Sequence, residues 1–382
     1  AMQYRPLGKT GLMVSEIGYG PEWLEGKTRA EGQALARRCM EHGINICDCW
    51  MSDPDVRSNL GDSIRDCRAQ WIVQGHIGST WQNGQYVRSR NLKDVIPAFE
   101  DELRRFHTDY FDLGMIHYCD EQADWDHILA SDFLTYVQKL RANGTIRHIG
   151  MSTHNPRIAV QAIQAGLVEM ILFSVNPIFD MLPASEEMED YRSESFDPAL
   201  GGIHPDRASL YALCERESVG ITVMKGYASG RLFDAARSPF GVALTPVQCL
   251  HYALTRPAVA SVLVGYSNPD QVDASVAYET ATEEEKDYAS VLAAAAHHPY
   301  RNMCTYCNHC QPCPAGIHIA MVNKFYDLAA TQDRVPASIA EHYRNLEKHA
   351  SDCIACGGCQ QRCPFHVDVI QSMKKAEALF GM

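Results

Sequence analysis

No run of about 18 consecutive apolar residues occurs in the chain, so a membrane-spanning helix is not expected. The N-terminus, AMQYRPLGKTG, has neither an apolar core nor a cleavage pattern, and no secretory leader is expected. Basic residues are in deficit: 34 Lys and Arg against 47 Asp and Glu leave a net charge of −13. A surface of that sign repels phosphate backbones, which argues against a nucleic-acid partner and suits a cytoplasmic protein. No strand-like run enters a Gly-x-Gly-x-x-Gly turn, so the dinucleotide fingerprint of an open doubly wound sheet is missing.

Cysteine, by contrast, is plentiful. There are 15, an odd number without a leader, which suits reduced thiols rather than a disulfide scaffold. Seven (Cys39, Cys47, Cys49, Cys67, Cys119, Cys214, Cys249) are scattered, and eight crowd between 304 and 363. The first crowd reads CTYCNHCQPCP, with Cys304, Cys307, Cys310 and Cys313 before Pro314; the second reads CIACGGCQQRCP, with Cys353, Cys356, Cys359 and Cys363 before Pro364. Three close thiolates suit three corners of a 4Fe–4S cube, and the cysteine before proline reaches the other cube. The spacing therefore assigns Cys304, Cys307, Cys310 and Cys363 to one cluster and Cys353, Cys356, Cys359 and Cys313 to a second. A pair of zinc sites is the competing reading, since Cys-x2-Cys also suits zinc. The spacer segments IHIAMVNKFYDLAATQ and SIAEHYRNLEKHA are helical in period, which resembles the α-helical ferredoxin domain of several redox subunits. His318 and His366, each shortly after a Cys-Pro, are expected to be structural.

A chain of 382 residues, 46% apolar, can bury one large core and one small one. Between residues 14 and 267 short apolar runs alternate with amphipathic stretches. The runs are VSEIGYG (14–20), INICDCW (44–50), WIVQGHIG (71–78), FDLGMIHY (111–118), IRHIGMS (146–152), MILFSVN (170–176), GITVMKG (220–226) and ASVLVGYS (260–267). Segments such as RAEGQALARRCMEHG and PRIAVQAIQAG lie between them, many closed by a glycine. Eight such alternations predict an α/β fold, a (β/α)8 TIM barrel. The acidic segment 178–207 would be a long loop at the top of the sixth strand. Thr282 with Glu285 predicts a capped helix, and the stretch 293–300 marks a boundary between a barrel (1–295) and a second domain (296–382).

Read in order, GKTGLMVSEIGYG, HGINICDCW, YFDLGMIHY, GTIRHIGMST, GITVMKGYASGRL and VLVGYSNPDQV resemble the aldo-keto reductase family, and the whole chain resembles the branch carrying a C-terminal ferredoxin-type domain. That resemblance implies reduction of carbonyls with NADPH by an Asp, Tyr, Lys, His set. Asp48 and His117 stand at the Asp and His positions. Asp53 stands where the tyrosine is expected and His76 where the lysine is, so the tetrad is altered. An imidazole beside a carboxylate still suits acid/base work, which makes Asp48, His76, His117 and Asp53 the catalytic candidates, with His154 behind them.

The same resemblance places nicotinamide contacts at Ser152, Leu172 and Lys225, of which leucine cannot hydrogen-bond and lysine replaces a ring stack. The loops holding Lys225, Gly226, Gly230 and Ser267 keep small residues and amides suited to phosphate. NADP(H) or a flavin is therefore a candidate cofactor beside the two clusters. A cluster moves one electron and a nicotinamide two, so an external carrier of the ferredoxin or flavodoxin type is the expected partner, feeding a small polar substrate. Trp23, Trp50, Tyr118, Asn176, Tyr227 and Tyr266 are candidates to line its pocket. A non-redox lyase or epimerase with structural clusters, and an electron-transfer subunit, are the alternatives.

Overall fold

The computed structural model describes residues 1–296 and 298–382; His297, inside the expected boundary stretch, lies outside the described residues. Eight parallel strands close into a barrel: β1 (Ile17–Gly20), β2 (Ile46–Cys49), β3 (Ile72–Ile77), β4 (Phe111–Ile116), β5 (Ile146–Thr153), β6 (Met170–Ser174), β7 (Gly220–Met224) and β8 (Val259–Gly265). Each pairs with its sequence neighbour, and β8 closes on β1 in the register Val262↔Ile17 to Gly265↔Gly20. The eight apolar runs of the sequence are these eight strands. They form strands because both faces are covered, inward by side chains and outward by helices, so near-continuous apolar runs are rewarded.

The connecting helices begin where the sequence places capping side chains. Thr28 and Thr245 form capping boxes with Glu31 and Gln248, and Asn91, Ser131, Asn155 and Asn268 cap four more. At Thr282 the outcome differs from expectation. Its hydroxyl accepts from Glu285 N at 3.2 Å, but residues 282–287 form only turns. The helix starts later, at Tyr288–Ala293, because Asp287 is the better cap and accepts from Ser290 N at 2.9 Å.

A hairpin outside the barrel rhythm was not anticipated. Residues Ser79–Gln82 and Gln85–Arg88 pair as an antiparallel hairpin with Trp81 opposite Tyr86. Asn83 and Gly84 turn it, both left-handed (φ 53° and 74°), as a two-residue hairpin turn of this hand requires.

Inside the barrel, Ile46, Leu113, Met115, Met170, Leu172, Ala260 and Leu263 share a plug with Leu7 and Val14, which the N-terminal segment brings to its floor. Above that apolar layer the interior turns polar: the Thr222 hydroxyl donates to Gln74 Oε1 (2.8 Å), and Gln74 Nε2 donates to Asp48 (2.7 Å).

Beyond the barrel the described residues form only helices, at Ile319–Ala330, Ala337–Arg344, Gly358–Arg362 and Val369–Phe380, with a short 3-10 turn at Ala350–Asp352. They share one hydrophobic core with barrel-side residues, where Val322, Phe325 and Met373 join Cys249, Tyr252 and Tyr288. His318 caps the first of these helices through its ring nitrogen, as a structural histidine should. No helix among the described residues is long and apolar enough to cross a membrane.

Candidate active site and the cysteine nests

The C-terminal ends of the strands open on one cavity of ≈ 1020 Å³. Asp48 from β2, His76 from β3, His117 just past β4 and Ser152 from β5 all line it. The four expected acid/base candidates divide. Asp48, His76 and His117 form one hydrogen-bonded line: His76 Nε2 lies 2.6 Å from Asp48 Oδ1, and His76 Nδ1 lies 2.8 Å from His117 Nδ1. All three are nearly sealed from solvent. Asp53 stands apart. Its carboxylate caps the helix Pro54–Ile64, accepting from Asp55 N at 2.9 Å, and it does not line the cavity. A helix opening on Pro54 needs a side-chain cap just before it, and Asp53 fills that need.

The residue missing from the sequence reading is Tyr86. The hairpin carries it over the cavity, where its hydroxyl lies 2.5 Å from His117 Nε2. Trp50 meets its ring edge-on at 5.7 Å and stacks over His117. The signal was present as Asn83-Gly84 between the alternating stretches STWQ and QYVR. The hairpin is anchored at its root by the Ser79 hydroxyl on Trp50 O and by buried Arg57, which donates to Ser79 O (3.0 Å) and pairs with Glu102 (2.9 Å).

The electrostatics are uneven. Burial, with help from His76, Arg90, Arg88 and Arg57, holds His117 well below the usual imidazole value, so it is neutral near pH 7. Burial lifts the Tyr86 phenol to about 12, partly offset by Arg88. Across the cavity, burial lifts the Glu22 carboxyl to about 7, with Asp48 adding to the rise, while Lys225 and a backbone amide oppose it. Lys225 is pushed down by burial and by Arg192. That arginine comes from the long loop after β6, in which a short helix, Met188–Arg192, reaches the cavity wall.

His154 also reaches the cavity, its Nδ1 held 2.8 Å from Asp120 Oδ2. The five residues expected at a cofactor, Ser152, Lys225, Gly226, Gly230 and Ser267, all line the cavity. Tyr118 and Lys225 adopt positive φ (32° and 59°) at the ends of β4 and β7, the strained backbone that functional sites often hold. Of the expected lining residues, Trp23, Trp50, Tyr118 and Tyr227 are there. Asn176 is instead spent on the backbone of Ile178 and Phe179, and Tyr266 is buried against Ser275.

None of the eight clustered cysteines lines this cavity. Cys313, Cys353, Cys356 and Cys359 line one small apolar hollow of ≈ 20 Å³ together with Ile317, Ile354 and Met373. On the other side the Cys307 and Cys310 thiols are raised chiefly by burial, and both also feel Cys363. Arg362 straps the two sequence stretches together, donating to Cys310 O at 2.8 Å and Pro312 O at 2.7 Å. Among the described residues no three His, Cys, Asp or Glu side chains converge closely enough to hold a single metal ion.

A closed parallel barrel with buried acid/base groups at the C-terminal ends of its strands defines a (β/α)8 enzyme. Residues 16–242 match the aldo/keto reductase family, and the chain belongs to that family. It is an oxidoreductase by that membership. Among its relatives, an uncharacterized oxidoreductase of Bacillus subtilis, YqkF, is 25% identical over 74% of this chain and 94% of its own length. L-galactose dehydrogenase of Arabidopsis thaliana is 27% identical over 74% of this chain and 89% of its own. Among solved structures, the holo form of an aldo-keto reductase from Bacillus halodurans, AKR11C1, shares the fold at a TM-score of 0.58 and 22% identity, covering 78% of this chain and 97% of that one. The matched family region ends before the cysteine-bearing helices.

Proposed function

We propose that this oxidoreductase interconverts the hydroxyl and carbonyl forms of a small polar substrate held in the barrel cavity, in a reaction fed or drained by two 4Fe–4S clusters. Cys304, Cys307, Cys310 and Cys363 would hold one cluster, and Cys353, Cys356, Cys359 and Cys313 the other. The observation that carries the reading is the hollow at the second nest. Cys313 is separated in sequence from Cys353, Cys356 and Cys359, yet all four face one apolar space, as the crossed ligand pattern of a paired-cluster protein requires. Bound clusters of this type pass single electrons, which makes an external ferredoxin- or flavodoxin-like carrier the natural partner and a reducing, cytoplasmic setting the suitable one.

Within the barrel, Asp48 orients His76, His76 orients His117, and Trp50 with Trp23 screens the mouth. The cavity is larger than a small substrate needs, which leaves room for a nicotinamide or flavin along Ser152, Lys225, Gly226, Gly230 and Ser267. Leu172, which also lines the cavity, offers no hydrogen bond to a nicotinamide amide. Two relatives are named as dehydrogenases, of L-galactose and of pyridoxal, which supports redox chemistry on a small polar molecule.

Anaerobic purification followed by iron, sulfide, flavin and nucleotide analysis tests the reading. About eight irons and eight sulfides per chain are expected, and Cys363→Ser should lose about half. Colourless protein carrying zinc would end it, as would NADPH-driven carbonyl reduction that proceeds equally fast after the clusters are destroyed. A second reading, epimerase or lyase chemistry with structural clusters, is favoured by one observation: two separate histidines on the same cavity, His76 and His154, are each paired with an aspartate, Asp48 and Asp120. Clusters that dithionite cannot reduce would support it.

A further inference from the structure

We propose that Tyr86 is the acid/base phenol of this site, and that His117, His76 and Asp48 form a store holding or releasing the one proton that decides whether Tyr86 acts as acid or base. The inference rests on the reading of the cavity as the place where a hydroxyl or carbonyl reacts.

The argument follows from the donors and acceptors along the line. Asp48 Oδ1 accepts from Gln74 Nε2 (2.7 Å), whose orientation is pinned because Gln74 Oε1 takes the Thr222 hydroxyl (2.8 Å). The same oxygen accepts from His76 Nε2 at 2.6 Å. That contact fixes Nε2 as the protonated nitrogen of His76. What remains is the 2.8 Å contact between the two Nδ1 atoms, which needs one donor and one acceptor.

Two arrangements satisfy it. With His76 neutral, its Nδ1 is a lone pair, His117 donates from Nδ1, and His117 Nε2 becomes the acceptor of the Tyr86 hydroxyl at 2.5 Å. The phenolic oxygen then shows its lone pairs to the cavity and serves as a base. With one more proton on the line, His76 donates from both nitrogens, His117 accepts at Nδ1 and donates from Nε2 to the phenolic oxygen. The Tyr86 O–H then points into the cavity and serves as an acid.

The transfer balances in both directions. In reduction, with the hydride at the carbonyl carbon supplied by a reduced nicotinamide or flavin in the same cavity, the resulting alkoxide would take the Tyr86 proton, Tyr86 the proton on His117 Nε2, and His117 Nδ1 the one on His76 Nδ1. Oxidation runs the same moves backward from the unloaded state. Only protons travel along the line. His117 is neutral in both states, and the charge rests on His76 beside Asp48. That division fits the surroundings. Burial with Arg57, Arg88 and Arg90 depresses His117, whereas His76 has the Asp48 carboxylate at 2.6 Å. The other charged groups around the line are Glu102, paired with Arg57, and Glu22 and Lys225 across the cavity.

Nitrogen-15 histidine spectra of the whole protein, wild type and Tyr86→Phe, test the store without needing a substrate. The expected result above the transition is His117 protonated on Nδ1 alone, and on acidification uptake of one proton by His76 with His117 changing tautomer to Nε2–H. Direct protonation of His117 instead, or His117 resonances indifferent to Tyr86→Phe, would overturn the proposal. Kinetics of the holoprotein test the phenol, with glyceraldehyde as carbonyl probe and dithionite as electron donor, and with glycerol as hydroxyl probe and ferricyanide as electron acceptor. Tyr86→Phe keeps the ring against Trp50 and should lower kcat by roughly 10²–10⁴-fold with little change in KM. Reduction should fall and oxidation rise with pH about the midpoint seen in the spectra, and unchanged kcat in Tyr86→Phe refutes the role. If the wild type turns over neither probe, the functional reading fails, while the spectra still decide the proton store.

Discussion

Asp180→Ala should destabilise the protein by about 4 kcal/mol. Asp180 is fully buried at the start of the long loop after β6, and its carboxylate is the shared acceptor of three side chains. Arg207 Nε donates to Oδ1 at 2.9 Å, Tyr211 OH to the same oxygen at 2.7 Å, and Tyr252 OH to Oδ2 at 2.6 Å. Alanine leaves a buried guanidinium without its counter-charge, and breaking such a pair from one side costs about 3–5 kcal/mol. Some of that returns because Arg207 still donates to Ser174 O and still lies 4.4 Å from the Phe173 ring centre, while Tyr252 can turn to Tyr300 at 3.3 Å. The double variant Asp180→Leu with Arg207→Met removes both charges and should recover about half of the loss, since the penalty comes from the widowed charge rather than from the missing attraction. Urea unfolding followed by both far-ultraviolet dichroism and tyrosine fluorescence measures this, with coincident curves required before a free energy is taken. A loss below about 1 kcal/mol for Asp180→Ala, or a double variant worse than the single, would refute the reasoning. Because Tyr300 also donates to Pro177 O, the same variant should loosen the seat of the C-terminal helices on this loop.

Two further perturbations follow from contacts and titration. Gly61→Ala should cost about 2–3 kcal/mol in the same assay, because its new Cβ would sit 2.2 Å from the backbone oxygen of Arg105, which no side-chain rotation relieves. His251 is held down at about 4 by burial and then by Lys286, Arg256 and Arg5, against Asp287. Its folded value lies below the unfolded one, so its contribution is whole above pH 6.5 and drains away as pH falls towards 4. Between pH 7 and 4.5, His251→Gln should lose about 2.5 kcal/mol less stability than the wild type; equal losses would show that His251 does not titrate this way.

Much of the architecture was legible along the chain because its causes are local. The strands announced themselves as apolar runs, since a strand covered on both faces needs no alternation. Helices began at Thr28, Asn91, Asn155 and Thr245 because those side chains satisfy amides that the helix leaves open. The hairpin at Asn83-Gly84 had a local signal too, but sits where the barrel rhythm predicts a plain loop. Asp53 shows the opposite limit: its place after Asp48 suggested chemistry, whereas the proline behind it decided for capping.

What the sequence alone determined is therefore the alternation of elements, their caps, and which residue types stand at the strand ends. Only the closed barrel decided that Asp48, His76 and His117 touch, and that Tyr86 arrives from outside the strands to complete the line. The reason is register: neighbouring strands place residues 28 and 41 positions apart within hydrogen-bond reach, and a slip of one residue would turn each of these side chains to the other face of the sheet.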